Sequence, residues 1–199
     1  SMLDRGFDIN DVKKDKLSAV IEVVNDFIKN RKSDRIGLIN FASSAFIAAP
    51  LTYDKNYLLK ILQKQKVGIV GKRTAIYDAL IQALYILQNS DTKNKAIILL
   101  TDGIDNMSEN SFDDTLDVAT KSKIKTYIIG IGKTRELDIE KLKQLAFVSG
   151  GKFYLATNKD TLSKIYKEID KLETKKIKAR SYTVYKYYYY FPLMFSIIF

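Results

Sequence analysis

Asp102 closes the run Ala96-Ile97-Ile98-Leu99-Leu100-Thr101 and is followed by Gly103. An apolar run without polar alternation reads as a strand covered on both faces, and so as a member of a largely parallel sheet. A carboxylate placed where such a strand ends lies in the crevice where open α/β sheets bind ligands. The chemistry open to it is narrow. The chain has no Cys and no His, which removes the thiolate nucleophile, the soft metal site and the usual general base near neutral pH. A metal held at Asp102 is therefore a hard cation with oxygen ligands, Mg²⁺, Mn²⁺ or Ca²⁺. A second oxygen donor, Thr74, follows a Gly-containing loop over residues 67–73 and opens a helix. Thr74 has the alternative of capping that helix, and Asp102-Gly103 the alternative of a plain turn. Asp105, near Asp102, reads as a solvated loop residue, with an outer-shell contact at the site as its alternative.

The elements that must position these groups alternate. Leu17, Val20, Ile21, Val24, Phe27 and Ile28 recur at helical spacing within residues 14–29. Residues 35–42 read as a strand, and 45–49 as a short antiparallel return that Pro50 ends. A helix follows to about residue 65 with Thr52 or Asp54 as its cap, then the Thr74 helix to about 88, then the strand over 95–101. A helix over 112–121, a buried strand over 124–131, a helix over 138–148 stopped by Gly150-Gly151, a strand over 152–156 and a helix over 159–172 complete the series. Strands alternating with helices predict an α/β fold: a doubly wound, mostly parallel sheet with helices on both faces.

Charge adds a boundary. The net charge is +10, but from Lys171 onward six cations face Glu173 alone, so this tail supplies +5 of it. The remaining Lys residues are scattered as solvated faces, and nucleic acid is not the expected partner. Domain organisation reads as residues 1–172, a basic linker over 173–186, and an apolar tail over 187–199. A membrane span needs ~20 apolar residues; the tail, with Tyr and basic residues beside it, is expected to begin a span.

Several pieces together resemble a von Willebrand factor type A domain. They are Ser1-Met2, Asp15-Lys16-Leu17, Arg35-Ile36-Gly37-Leu38-Ile39-Asn40-Phe41-Ala42, Pro50-Leu51-Thr52-Tyr53-Asp54, Gly71-Lys72-Arg73-Thr74-Ala75-Ile76-Tyr77-Asp78, Ile98-Leu99-Leu100-Thr101-Asp102-Gly103, Ile128-Ile129-Gly130-Ile131-Gly132 and Gly150-Gly151-Lys152-Phe153-Tyr154. By pattern the chain is similar to bacterial membrane-anchored members of the Bat (aerotolerance) type. The resemblance implies a metal-ion-dependent adhesion site with Ser1, Thr74 and Asp102 among its ligands, Ser1 matching the last Ser of an Asp-x-Ser-x-Ser motif. It implies Mg²⁺, or Mn²⁺ or Ca²⁺, and a partner protein that donates a carboxylate to the metal. Hydroxyls with few carboxylates leave such an ion under-neutralised, and Mg²⁺ keeps open, watered positions that an incoming carboxylate can take. The positive end of the Thr74 helix also favours an anion.

The Asp and first Ser of that motif would precede Ser1, and with them the family's central first strand. The chain therefore reads as the remainder of something longer. Buried backbone groups without partners cost ~1–3 kcal/mol each, against ~5–15 kcal/mol for a whole domain, so this chain alone is expected to fold poorly and bind metal weakly. The resemblance implies the bacterial inner membrane. Basic residues before the apolar end put the domain in the cytoplasm, whereas Bat-type relatives imply the periplasm. The chain reads as a binding module, not an enzyme, with a metal-independent interaction scaffold as the alternative. A Mg²⁺-dependent phosphohydrolase would place a second carboxylate two residues after Asp102, where Ile104 stands. Gly130-Ile131-Gly132-Lys133 lacks the spacing and Lys-Ser/Thr ending of a phosphate loop and reads as a tight exit from a strand.

Overall fold

A computed structural model describes residues 2–66, 73–92 and 94–180, with side chains through residue 173. Residues 67–72 of the expected loop over 67–73, the apolar tail and Ser1 lie outside the described residues. The chain divides into a compact unit ending at Lys167 and a second beginning at Glu168.

The elements run α1 (Lys16–Asn30), β1 (Ile36–Phe41), β2 (Ala45–Thr52), α2 (Lys55–Gln63), α3 (Ile76–Gln88), β3 (Ala96–Thr101), α4 (Phe112–Ser122), β4 (Lys125–Ile131), α5 (Ile139–Val148), β5 (Phe153–Ala156) and α6 (Lys159–Arg180). Side-chain oxygens start five of the helices. Asp15, Asp54, Ser111, Asp138 and Asn158 accept the backbone N–H three residues on, at the starts of α1, α2, α4, α5 and α6, each satisfying a donor that the first turn leaves free. Of the two proposed caps for α2, Asp54 is the one used, with Tyr57 N–H at 2.9 Å.

The strands fall into two sheets. β3, β4 and β5 pair in parallel, in the order β3-β4-β5, while β1 and β2 form an antiparallel ribbon. Helix α3 packs on β1, β2 and β3, so it spans the division. The larger core gathers Ile76, Leu80 and Leu84 of α3, Ile97 and Leu99 of β3, Ile128 of β4, and Leu142 and Leu145 of α5. The smaller gathers Ile28, Ala49, Leu58 and Leu62 between α1, α2 and the ribbon. Each fully buried aliphatic side chain contributes ~1.5–3 kcal/mol.

Three local expectations need correction. β3 was expected to be covered on both faces, but its residues alternate between buried and half-buried; β4, the middle strand, is the one buried along nearly its whole length. β3 has a hydrogen-bonded neighbour on one side only among the described residues. Pro50 does not end β2, which continues to Thr52. The register slips between Ile36 and Leu38, so Pro50 falls in a bulge, where its missing N–H breaks no ladder bond. Finally, α6 runs to Arg180, past residue 172. Glu, Lys and Ala dominate the added stretch, and these residues sustain a helix well.

Glycine is required at the β4–β5 crossing. A Cβ on Gly151 would lie 2.0 Å from the Thr126 carbonyl oxygen, so the chain passes there only without a side chain.

Candidate metal centre

The turn that follows β3 is set by its own last residue. Thr101, 2% exposed, accepts the Gly103 N–H on its Oγ1 at 3.3 Å and donates to the Gly103 carbonyl at 3.2 Å. A threonine that bonds its own backbone two residues on makes a compact turn. That turn turns Asp102 out of the strand and fixes where its carboxylate starts.

The rest of the loop is laced to the start of α3. Asp105 accepts the N–H groups of Ile76 and Tyr77 on Oδ2, at 2.6 and 3.2 Å, and the Ser108 hydroxyl on the same oxygen at 2.6 Å. Ser108 Oγ in turn accepts the N–H groups of Tyr77 and Asp78 at 3.0 and 3.2 Å. Asp78 accepts from Glu109 N–H, Asn110 N–H and the Asn110 side-chain amide. Burial pushes the Asp78 carboxyl up, but these donors outweigh it and hold the carboxyl below its ordinary value. Asp105 is thus no solvated loop residue. It caps, from another loop, a helix whose own N-cap position is Ala75, with no side-chain cap bond. The same carboxylate acts on Tyr77: burial first, then the charges of Asp105 and Asp138, push its phenol up to about 12.

Thr74 is therefore not the helix cap. Its N–H donates to Asn106 Oδ1 at 2.8 Å, and its carbonyl accepts the Asn106 N–H at 2.9 Å. On the other side, Ala75 N–H donates to the Ala42 carbonyl at 2.7 Å, at the end of β1. The segment is clamped from both directions. Its hydroxyl faces the Asp102 turn: a Cβ on Gly103 would lie 3.4 Å from Thr74 Oγ1. Two of the three expected ligands, Thr74 and Asp102, are on adjoining loops, brought together by bonds to Asn106, Asp105 and Ser108. Ser1 lies outside the described residues.

Asp102 itself is largely shielded, its side chain 14% exposed. Its Oδ2 is buried and accepts no hydrogen bond. Among the described residues the Lys16 Nζ pairs with it, 3.6 Å from that oxygen. Among the described residues no three His, Cys, Asp or Glu side chains gather as a metal cluster; the oxygens that would hold an ion here are one carboxylate and one hydroxyl. That set suits a hard cation that keeps several waters, and the buried oxygen without a donor is where such an ion fits.

The sequence reading missed Asp105, Ser108, Asn106 and Lys16. An Asp with Ser three residues on is a recognisable local turn signal, so the Asp105–Ser108 contact was findable. The Lys16–Asp102 contact joins positions 86 apart in sequence, and no local pattern announces it.

The α/β fold thus places a carboxylate at a strand end and a threonine on the neighbouring loop. Residues 8–168 match the von Willebrand factor type A domain, and the chain belongs to that family. It is 33% identical over 148 residues to an uncharacterized protein of Borreliella burgdorferi, covering 74% of this chain and 42% of that one, so it spans less than half of that relative's length. In fold it is similar to an aerotolerance-related membrane protein from Bacteroides fragilis, at 20% identity and TM-score 0.69, covering 88% of this chain and 94% of that one. It is likewise similar to proximal thread matrix protein 1 from the mussel byssus with a zinc-occupied MIDAS motif, at 23% identity and TM-score 0.68, covering 79% of this chain and 40% of that one. Among the described residues no helix is long and apolar enough to cross a membrane.

Proposed function

We propose that this chain is a membrane-anchored interaction module that holds a divalent cation at Thr74 and Asp102 and uses it to bind a carboxylate of a partner protein. The observation that carries this is the Asp102 Oδ2 atom, a buried carboxylate oxygen with no hydrogen-bond donor, beside a loop that presents the Thr74 hydroxyl. Leaving such an oxygen without a donor costs stability, and a cation relieves that cost. Ser1 is the third proposed ligand. Its neighbour Met2 is anchored at the start of α1 by the Leu17 N–H, at 3.0 Å, one residue from the lysine that reaches Asp102. The family and the zinc-occupied relative support a divalent ion at such a site; Mg²⁺ is the one proposed here, with Mn²⁺ and Ca²⁺ as close substitutes. The apolar tail is the proposed anchor, in a bacterial inner membrane.

Calorimetric titration with Mg²⁺ and Mn²⁺ tests the proposal. Saturable one-site binding that vanishes in Asp102→Ala and weakens in Thr74→Ala is expected. Equal binding by wild type and Asp102→Ala would overturn it. One observation favours a second reading, a scaffold that binds partners without metal: the Lys16 ammonium already supplies Asp102 with a positive charge. Under that reading a partner is captured equally well in EDTA and in Mg²⁺.

A further inference from the structure

Lys16 is unusual on two counts. It is 5% exposed, although lysine is almost never fully buried unless paired. It also occupies the first position of α1, at the positive end of the helix dipole, where a cation is disfavoured. Where a sequence breaks local rules, function is the expected reason. The backbone there is firmly held: Asp15 caps the helix through Ser18 N–H at 2.7 Å, and Lys16 N–H donates to the Asp4 carbonyl at 2.9 Å. The side chain runs to the carboxyl ends of β3 and β4. There its Nζ lies 3.6 Å from Asp102 Oδ2 and 3.3 Å from where a Cβ on Gly132 would stand. Gly132 leaves that room and adopts φ +111°, a conformation side chains resist. Glu136 Oε2 lies 3.1 Å from the same point.

We propose that Lys16 is a tethered counter-cation for Asp102, which balances the carboxylate when no metal is bound and which a divalent ion must overcome to bind. The proposal rests on the metal-site reading above and adds a determinant of affinity to it. A charge pair at 3.6 Å without a hydrogen bond between its members holds the carboxylate in place yet leaves its lone pairs free. Bringing a doubly charged ion to the same oxygen sets two cations against each other. At ~6 Å that repulsion amounts to roughly tenfold in affinity even in a water-like medium, and to more in a shielded site. Lys16 is thus a positioning and affinity-setting residue, not a ligand.

The test compares Mn²⁺ binding, by electron paramagnetic resonance of the free ion, in the full chain and in Lys16→Met, Lys16→Arg, Asp102→Asn and the double variant K16M/D102N. Thermal unfolding with and without Mn²⁺ accompanies each. Lys16→Met is expected to bind Mn²⁺ roughly tenfold or more tightly than wild type, to unfold at lower temperature without metal, and to gain more from Mn²⁺. Lys16→Arg, which keeps the charge, stays near wild type. The double variant, with neither charge, unfolds at a higher temperature than Lys16→Met and does not bind. Equal Mn²⁺ affinity in wild type and Lys16→Met, lost in Asp102→Asn, overturns the role of Lys16 and leaves the metal site standing. No Mn²⁺ binding by either, or binding that survives Asp102→Asn, overturns both.

Discussion

The loop after β3 carries two carboxylates three residues apart, and they are used in opposite ways. Asp105 is consumed by the fold. Two helix N–H groups and a hydroxyl converge on its Oδ2, and its Oδ1 takes the Ser108 N–H at 3.3 Å. Asp102 is partly buried as well, yet its Oδ2 takes no hydrogen bond among the described residues and has the Lys16 ammonium at 3.6 Å. Both aspartates look alike in a polar loop sequence. What separates them is the element each faces: Asp105 meets a helix start that lacks a cap of its own, while Asp102 meets a turn closed internally by Thr101. The lacing through Asp105 makes the free oxygen of Asp102 possible, because it holds Thr74 and Asp102 side by side without drawing on either side chain.

Breaking the consumed carboxylate has the largest expected effect. Asp105→Ala leaves the buried N–H of Ile76 and the Ser108 hydroxyl short of an acceptor, at ~1–3 kcal/mol for each such group, while Tyr77 N–H keeps Ser108 Oγ. A loss of about 3 kcal/mol in urea unfolding is expected, together with loss of metal binding as the loop detaches from α3. Ser108→Ala removes the hydroxyl that both donates to Asp105 and accepts from α3, and should cost about 1 kcal/mol. Thr74→Val, which keeps the shape and removes a hydroxyl the fold does not use, should change stability by no more than about 0.5 kcal/mol while weakening Mn²⁺ binding. If Thr74→Val destabilises as much as Ser108→Ala, the hydroxyl belongs to the fold and the comparison fails.

Acid unfolding sharpens the contrast from a third set of carboxylates. The Lys159 ammonium bonds to Asp8 at 2.9 Å and to Glu22 at 2.6 Å. It holds the Asp8 carboxyl below its ordinary value, while Lys14 first, and then Lys159, hold Glu22 low. Folded-state values below the unfolded ones mean that the unfolded chain binds more protons as pH falls. The stability these groups contribute is present above about pH 4 and is lost as pH drops through their folded values. Lys159 is shifted upward by the same contacts, so its share is complete below about pH 10 and lost only above that. Urea midpoints should be level between pH 6 and 8 and fall below about pH 4. Lys159→Met should shrink that acid fall without removing it, since Asp78, at the loop–α3 contact, remains.

The sequence made the series of elements legible because each buried element repeats its apolar residues at its own period, as α1 and β4 do. It made Asp102 legible because an uninterrupted apolar strand that ends in Thr-Asp-Gly can present its carboxylate in one place only. What stayed hidden depended on partners far along the chain. Pro50 looked like a terminator until the bulge opposite Gly37 gave it a place without a ladder bond. β3 looked buried on both faces because composition does not report which neighbours a strand has. Asp105 looked solvated because the N–H groups it satisfies belong to a helix about 29 residues upstream. Lys16 looked like one more surface lysine of α1, and only the meeting of α1 with the ends of β3 and β4 makes it a partner of Asp102.

Paramagnetic broadening of backbone amide signals by substoichiometric Mn²⁺ tests the contrast between the two carboxylates most directly. Signals of Thr74, Ala75 and Gly103 should broaden first, and Asp102→Asn should abolish the effect while leaving the Ile76 and Tyr77 amide shifts, which report the Asp105 cap, in place. Broadening centred on another acidic stretch, such as Asp113-Asp114, or unchanged in Asp102→Asn, would contradict a cation site at Asp102.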